Sequence, residues 1–243
     1  MRISISQPML FPWLGEFEKI ALSDVFVHGD SVKYKKDYYS NRTTVKAPSG
    51  LKWITVPVQK VDSSQKIIDV KIDNTQSWKE HHYNRLKTYY AMAPFKMEML
   101  NLVEDVYSAE HENISELAIA SIHAVCLYLN VFPKVGFSRG SRLNITHTKT
   151  EGILEILRKL RGSVYLCGMG SQKVSERYLN HELLESERIR VEYIVYRKTA
   201  YRQLYGLFNT NVSILDGIAN CGRGITSSFL SNCYYWKDLL KRQ

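Results

Sequence analysis

Residues 7 to 19 read QPMLFPWLGEFEK, and several of these side chains carry the chemistry of a binding site. Gln7 can donate and accept hydrogen bonds, Trp13 offers a stacking face and an indole N–H, and Lys19 brings a cation. Pro8 and Pro12 fix φ, so a surface built on them is pre-organised. Gly15 permits a close backbone approach. The same prolines and tryptophan would also pack a loop against a sheet, and both uses stay open at this level.

Further candidates follow. KYKKDYY, residues 33–39, is a dense basic and aromatic patch, an anion-binding surface or a solvated edge. Asn41 and Arg42 come directly after it. Arginine clamps phosphate with two parallel hydrogen bonds, and asparagine orients a sugar hydroxyl; a surface salt bridge is the alternative for Arg42. With Lys19, Arg42 would give two cations for a pyrophosphate. Asp30 ends a predicted strand, and Asp216 either caps a helix or serves a site. In CGMGSQ, Gly168, Gly170 and Ser171 would present N–H groups to an anion or form a tight turn. Cys221, in NCGRG with Arg223 nearby, is a nucleophile if its thiol is acidic and a packing residue if it is not. The four cysteines show no CxxC or metal-ligand spacing, and no Ser-His-Asp arrangement can be read.

The elements that must position these groups alternate. RISIS and DVFVH read as strands flanking a short helix, with Leu14, Phe17, Ile20 and Ala21 on its apolar face and Glu16, Glu18 and Lys19 off it. LKWITVPV and KIIDVKI read as two strands joined by a polar turn. Helices are predicted from Ser77 to before Pro94, over roughly 96–108, from Asn113 in a capping box with Glu116, and from Thr148 with Glu151. SVYLCG and RVEYIVY are later strands, with a short helix near 175–185 between them. The expected class is α/β, a largely parallel sheet with helices on both faces and a helical insertion in the middle. Residues 1–243 are expected to form one integrated domain.

With 243 residues and 44% hydrophobic content, a sizeable core is available. No apolar run approaches ~18 residues, so no membrane span is expected, and the chain reads as cytoplasmic. The net charge of +9 suits an anionic partner.

The ordered motifs resemble the WbqC-like family across nearly the whole chain. QPMLFPWLG, the Asn41–Arg42 pair before TVPV, HHYNRLKTYYAMAPF, VYLCGMGS and YRQLYGLFNTNVSILDGIANCG are similar to its segments. The chain departs from the family at Cys167, where a small residue such as serine is usual, and at Thr199–Ala200, where His-Pro is frequent. No histidine role is carried over to the latter pair. The resemblance implies a role in O-antigen and other surface-polysaccharide biosynthesis. It suggests a transferase that moves an acyl or aminoacyl group, glycyl among them, onto the amino group of a nucleotide-linked sugar. His82 matches the family's helix histidine, and its chemistry suits a general base that takes a proton from an attacking amine. A packed, hydrogen-bonded histidine is the alternative. Gln7, Trp13, Lys19, Asp30, Asn41, Arg42, Gly168, Gly170 and Ser171 would bind substrate. No tightly bound cofactor or metal is expected; the acyl donor would be a coenzyme A thioester, an acidic acyl carrier protein or an aminoacyl-tRNA. Two rival readings are a nucleotidylyltransferase-like enzyme and a basic nucleic-acid-binding module. The first lacks its His-x-x-His signature between residues 6 and 20, and the second shows none of the usual binding-module motifs.

Overall fold

The computed structural model describes residues 1–168 and 179–240. Four strands come early: β1 (Arg2–Ser6), β2 (Val25–His28) and, in a separate hairpin, β3 (Arg42–Ala47) with β4 (Gly50–Thr55). β5 (Gly136–Arg139), β6 (Val164–Gly168), β7 (Arg190–Val195) and β8 (Asn232–Tyr235) follow. The helices are α1 (Leu14–Ala21), α2 (Trp78–Tyr89), α3 (Lys96–Ser108), α4 (Ile114–Leu129), α5 (Lys149–Lys159), α6 (His181–Ser186), α7 (Ile214–Cys221) and α8 (Trp236–Leu240). The six-stranded sheet has the order β5-β2-β1-β6-β7-β8. Its strands run parallel except for the edge strand β8. This is the expected α/β class, with α2, α3 and α4 as the helical insertion.

Alternation along β2 shows why both faces are covered. Phe26 packs on one side with Phe17 and Ile20 of α1, Leu86 of α2, Met99 of α3, Ile122 of α4 and Ile218 of α7. Val25 and Val27 face the other side, with Leu154 and Leu157 of α5 and Leu184 of α6. A parallel sheet needs cover on both faces, and these two cores supply it.

Three expectations change. The hairpin partner of β4 is 42–47, not KIIDVKI. The two strands meet across the two-residue loop Pro48–Ser49, where Gly50 takes φ 97°. Ile67–Asp69 is instead a short 3₁₀ turn anchored by the buried Ile67. Ala21, expected on the apolar face of α1, is exposed, whereas Glu16, Glu18 and Lys19, off that face, are all buried. Helix α1 is short and overlaid by the hairpin and by the chain around residues 196, 213 and 231, so little of its circumference is left for water. Ser77 precedes α2 but makes no side-chain cap, and neither does Thr148 before α5. Asn113 does cap α4, accepting from the Glu116 N–H at 2.9 Å.

Among the described residues no helix is long and apolar enough to cross a membrane.

Candidate functional site

The strand order reverses at β1. The chain leaves β1 toward β2 and β5 on one side, then returns to β6 on the other. Such a reversal opens a crevice beyond the carboxyl ends of the two central strands. A cavity of about 630 Å³ lies there, with Ser6 ending β1 and Gly168 ending β6 in its wall. Its size falls within the range of small-molecule sites, roughly 300–1,000 Å³. Loop residues Met9, Pro12 and Trp13 form one side, and Glu16 and Lys19 of α1 continue it. The hairpin side brings Tyr38, Tyr39, Thr43 and Thr44; the C-terminal side brings Tyr196, Lys198, Asn211 and Ser213.

The loop after β1 is held from several directions. Leu10 N–H donates to Tyr39 O at 2.9 Å, and Phe11 N–H donates to Ser121 Oγ on α4 at 2.9 Å. Phe11 O accepts from Thr43 Oγ at 3.1 Å and from Ser213 Oγ at 2.7 Å. Pro12 O accepts from Ile214 N–H at 2.8 Å. Phe11 itself sits at φ 38°, directly before a proline, where few side-chain-bearing residues stay without such support. Trp13 meets Tyr196 edge to face, ring centroids 4.7 Å apart. Gly15 leaves the room that the Trp13 ring fills, and Gly168 leaves room for the Tyr196 hydroxyl, which would stand 2.7 Å from a Cβ there.

Two buried charges mark the wall. Lys19 Nζ donates to Ile5 O at 3.0 Å and to Ser6 Oγ at 2.5 Å, which ties it to the end of β1. No carboxylate among the described residues lies within ion-pair distance of it. Glu16 is 4% exposed, and its Oε1 has no hydrogen-bond partner among the described residues. Glu18 points elsewhere, accepts from Ser231 N–H at 3.0 Å, and is pushed up in pKa by burial.

The sequence profile of the WbqC-like protein family matches residues 7–227. The chain belongs to the WbqC-like protein family. It is also 33% identical over 226 residues to the uncharacterized protein Rv1507c of Mycobacterium tuberculosis (strain ATCC 25618 / H37Rv), covering 91% of this chain and 94% of that one. No solved structure is significantly similar to it.

In this WbqC-like chain the residues singled out from sequence fall into two groups. Trp13, Lys19 and Gly168 meet at the cavity, and Gln7 lies half-buried just past β1. Gly170 and Ser171 lie outside the described residues. The others are used elsewhere. Asp30 is fully buried: Oδ2 accepts from Arg139 Nε at 3.0 Å and Ser141 Oγ at 2.7 Å, and Oδ1 from Ser141 N–H at 2.7 Å. It fastens the end of β2 to the turn after β5. Asn41 donates to Val56 O at 2.8 Å and accepts from Tyr34, closing the base of the hairpin. Arg42 pairs with Asp37 at 3.0 Å and lies 4.0 Å over the Trp53 ring, outside the cavity wall.

His82 is placed in the helical core. Its Nε2 donates to Thr55 O at 3.0 Å, which leaves Nδ1 to accept from Tyr107 OH at 3.1 Å. Burial lowers its pKa to about 4. Both nitrogens are occupied and the ring is 4% exposed, so the packed reading of this histidine fits and the general-base reading does not. Asp216 accepts from Tyr90 OH and Tyr201 OH, each at 2.9 Å, and anchors the start of α7. Burial and the nearby Asp216 charge raise the Cys221 thiol, which opposes a thiolate nucleophile.

Sequence reasoning missed Glu16, the Thr43–Thr44 pair, Tyr196 and Ser213. The Glu16–Lys19 spacing was a usable signal, because residues three apart share a helix face. Tyr38 and Tyr39 were visible within the basic patch. Threonines on a hairpin carry no such mark.

Proposed function

We propose that the chain is a transferase of surface-polysaccharide biosynthesis that binds a nucleotide-linked amino sugar in this cavity. It moves an acyl or aminoacyl group, glycyl among them, onto the sugar's amino group. The carrying observation is Lys19: a buried ammonium at the strand-order reversal with no carboxylate partner among the described residues. A buried cation favours an anionic partner, and a pyrophosphate supplies one. Trp13, Tyr38, Tyr39 and Tyr196 offer faces for a base and a sugar ring. Thr43, Thr44 and Ser213 offer hydroxyls.

In the reaction the amine nitrogen bonds to the acyl carbon while the bond from that carbon to the donor's sulfur or ester oxygen breaks. The amino group, held as an ammonium, sheds one proton to bare its lone pair and a second on forming the amide; the leaving group departs with one of them and the other passes to solvent. A coenzyme A thioester, an acidic carrier protein and an aminoacyl-tRNA are all anionic donors, which suits a chain of net charge +9.

Thermal melting against UDP- and dTDP-linked amino sugars tests the binding half of this reading. A ligand at ~100 times its Kd should add ~2.7 kcal/mol of stability. Lys19→Met should abolish the shift. No shift at millimolar concentration for any such nucleotide would remove the reading.

A further inference from the structure

Two charged side chains of opposite sign line one cavity without pairing with each other. Glu16 and Lys19 stand three residues apart on α1 and share a face, yet no ion pair joins them. Lys19 is drawn inward to the end of β1. Glu16 keeps a buried oxygen, Oε1, that no described donor reaches. A carboxylate oxygen shut away from water without a donor is costly. The wall around it is aromatic, with Tyr38 and Tyr196 in the same cavity. Burial chiefly raises both phenols, and the Glu16 charge adds to it, so both rings lie within reach of its field. Tyrosine faces attract cations. A carboxylate oxygen without a donor, in a cavity that also holds the Tyr38 and Tyr196 rings, is complementary to a primary ammonium.

We infer that Glu16 is the receptor for a primary ammonium on the ligand, and that this contact makes the cavity select amino sugars over their hydroxyl counterparts. The inference rests on the reading of the cavity as the substrate site. It adds which chemical group of the substrate is recognised, and by which residue.

Calorimetric titration at neutral pH with three probes tests it: UDP-glucosamine, UDP-glucose and free glucosamine. The two nucleotides differ only in an ammonium or a hydroxyl at one carbon. Wild-type protein should bind UDP-glucosamine about tenfold or more tightly than UDP-glucose, the scale of one charge-assisted hydrogen bond. Glu16→Gln, nearly the same shape, should bind UDP-glucose within about twofold of wild type and lose the preference. If wild type binds both nucleotides equally, or if Glu16→Gln keeps the preference, the ammonium inference is overturned and the nucleotide-sugar reading stands. If neither nucleotide binds but glucosamine does, in a manner that Glu16→Gln abolishes, the nucleotide reading fails and the inference holds. Binding of none of the three at millimolar concentration overturns both. A wild-type ratio near one overturns the inference without any variant; if Glu16→Gln does not fold, Glu16→Asp, which keeps the charge but draws it back, should lessen the preference, and an unchanged preference there overturns it too.

Discussion

The Trp13 ring occupies the space that a side chain at residue 15 would need: a Cβ on Gly15 would stand 2.3 Å from it. The glycine is therefore required by the tryptophan two residues before it. Gly15→Ala should swing the indole away from Tyr196 and reshape the cavity. Alanine also favours a helix over glycine by roughly 0.5–1 kcal/mol, so stability should change little. The expected result is a loss of nucleotide-sugar affinity of about tenfold or more with a nearly unaltered melting temperature. Unchanged affinity in calorimetry would show that the ring's position does not matter to the ligand.

His82 makes a pH prediction. Its pKa falls from 6.5 to about 4 on folding, because burial disfavours the charged ring. The unfolded chain binds the proton more readily, so the stability this group contributes is full above pH 6.5 and drains away toward about pH 4. The loss should be on the order of 3 kcal/mol or less. His28 acts in the same direction. Its Nε2 lies 3.0 Å from Nε2 of His123, and burial, then the charges of His123 and Arg139, lower its pKa to about 3. Denaturant melts from pH 7 to pH 4 should show this decline, and a shallower one in His82→Gln. Equal slopes would mean that His82 is not buried as described.

The same variant bears on catalysis. His82→Gln should lower stability by about 1–3 kcal/mol through a weakened hydrogen bond to Thr55 or Tyr107. Below its melting temperature it should turn substrate over at the wild-type rate. A rate at least ~10²-fold slower in folded protein would restore the general-base role.

Arg42→Ala should leave nucleotide-sugar affinity nearly unchanged, because the guanidinium is spent on Asp37 and Trp53. The cost should fall on stability, about 1 kcal/mol for a half-exposed ion pair with a cation–π contact. Loss of binding in the melting assay would return Arg42 to the site.

Cys221→Ser should retain activity, and wild-type Cys221 should react slowly with iodoacetamide at neutral pH, since burial and Asp216 keep its thiol protonated. An acyl adduct found on Cys221 by mass spectrometry would overturn this.

Period and punctuation made the frame legible. The alternation in RISIS and DVFVH, and the Asn113 cap, are read off residues whose local preference and final setting agree; of the capping box only the Asn113 half forms, since Glu116 accepts from Glu112 N–H instead. β5 and β8 were not legible, because each is four residues long and half-buried at most positions, so neither alternates cleanly. The loop with Trp13 and Lys19 was legible because proline, tryptophan and glycine are rarely crowded without need. Arg42 and His82 were legible as chemistry but not as geography. Nothing local reveals that Trp53 will cover one or that Thr55 will face the other. Glu16 was hidden by a rule that usually holds: a charged residue on an amphipathic helix points to water. Here distant chain covers that side.

Phe11 O accepts from a hydroxyl 202 residues further along the chain, and Pro12 O from the next residue's N–H. A nascent chain therefore forms β1 long before it can finish the wall of the cavity. The strained φ of Phe11 lacks its full set of partners until residue 213 has left the ribosome. Contacts of such sequence separation are slow to form. The site should be among the last parts of the molecule to become ordered, because a chain ending before residue 213 lacks the Ser213 and Ile214 contacts that hold the loop, together with α7 and β8.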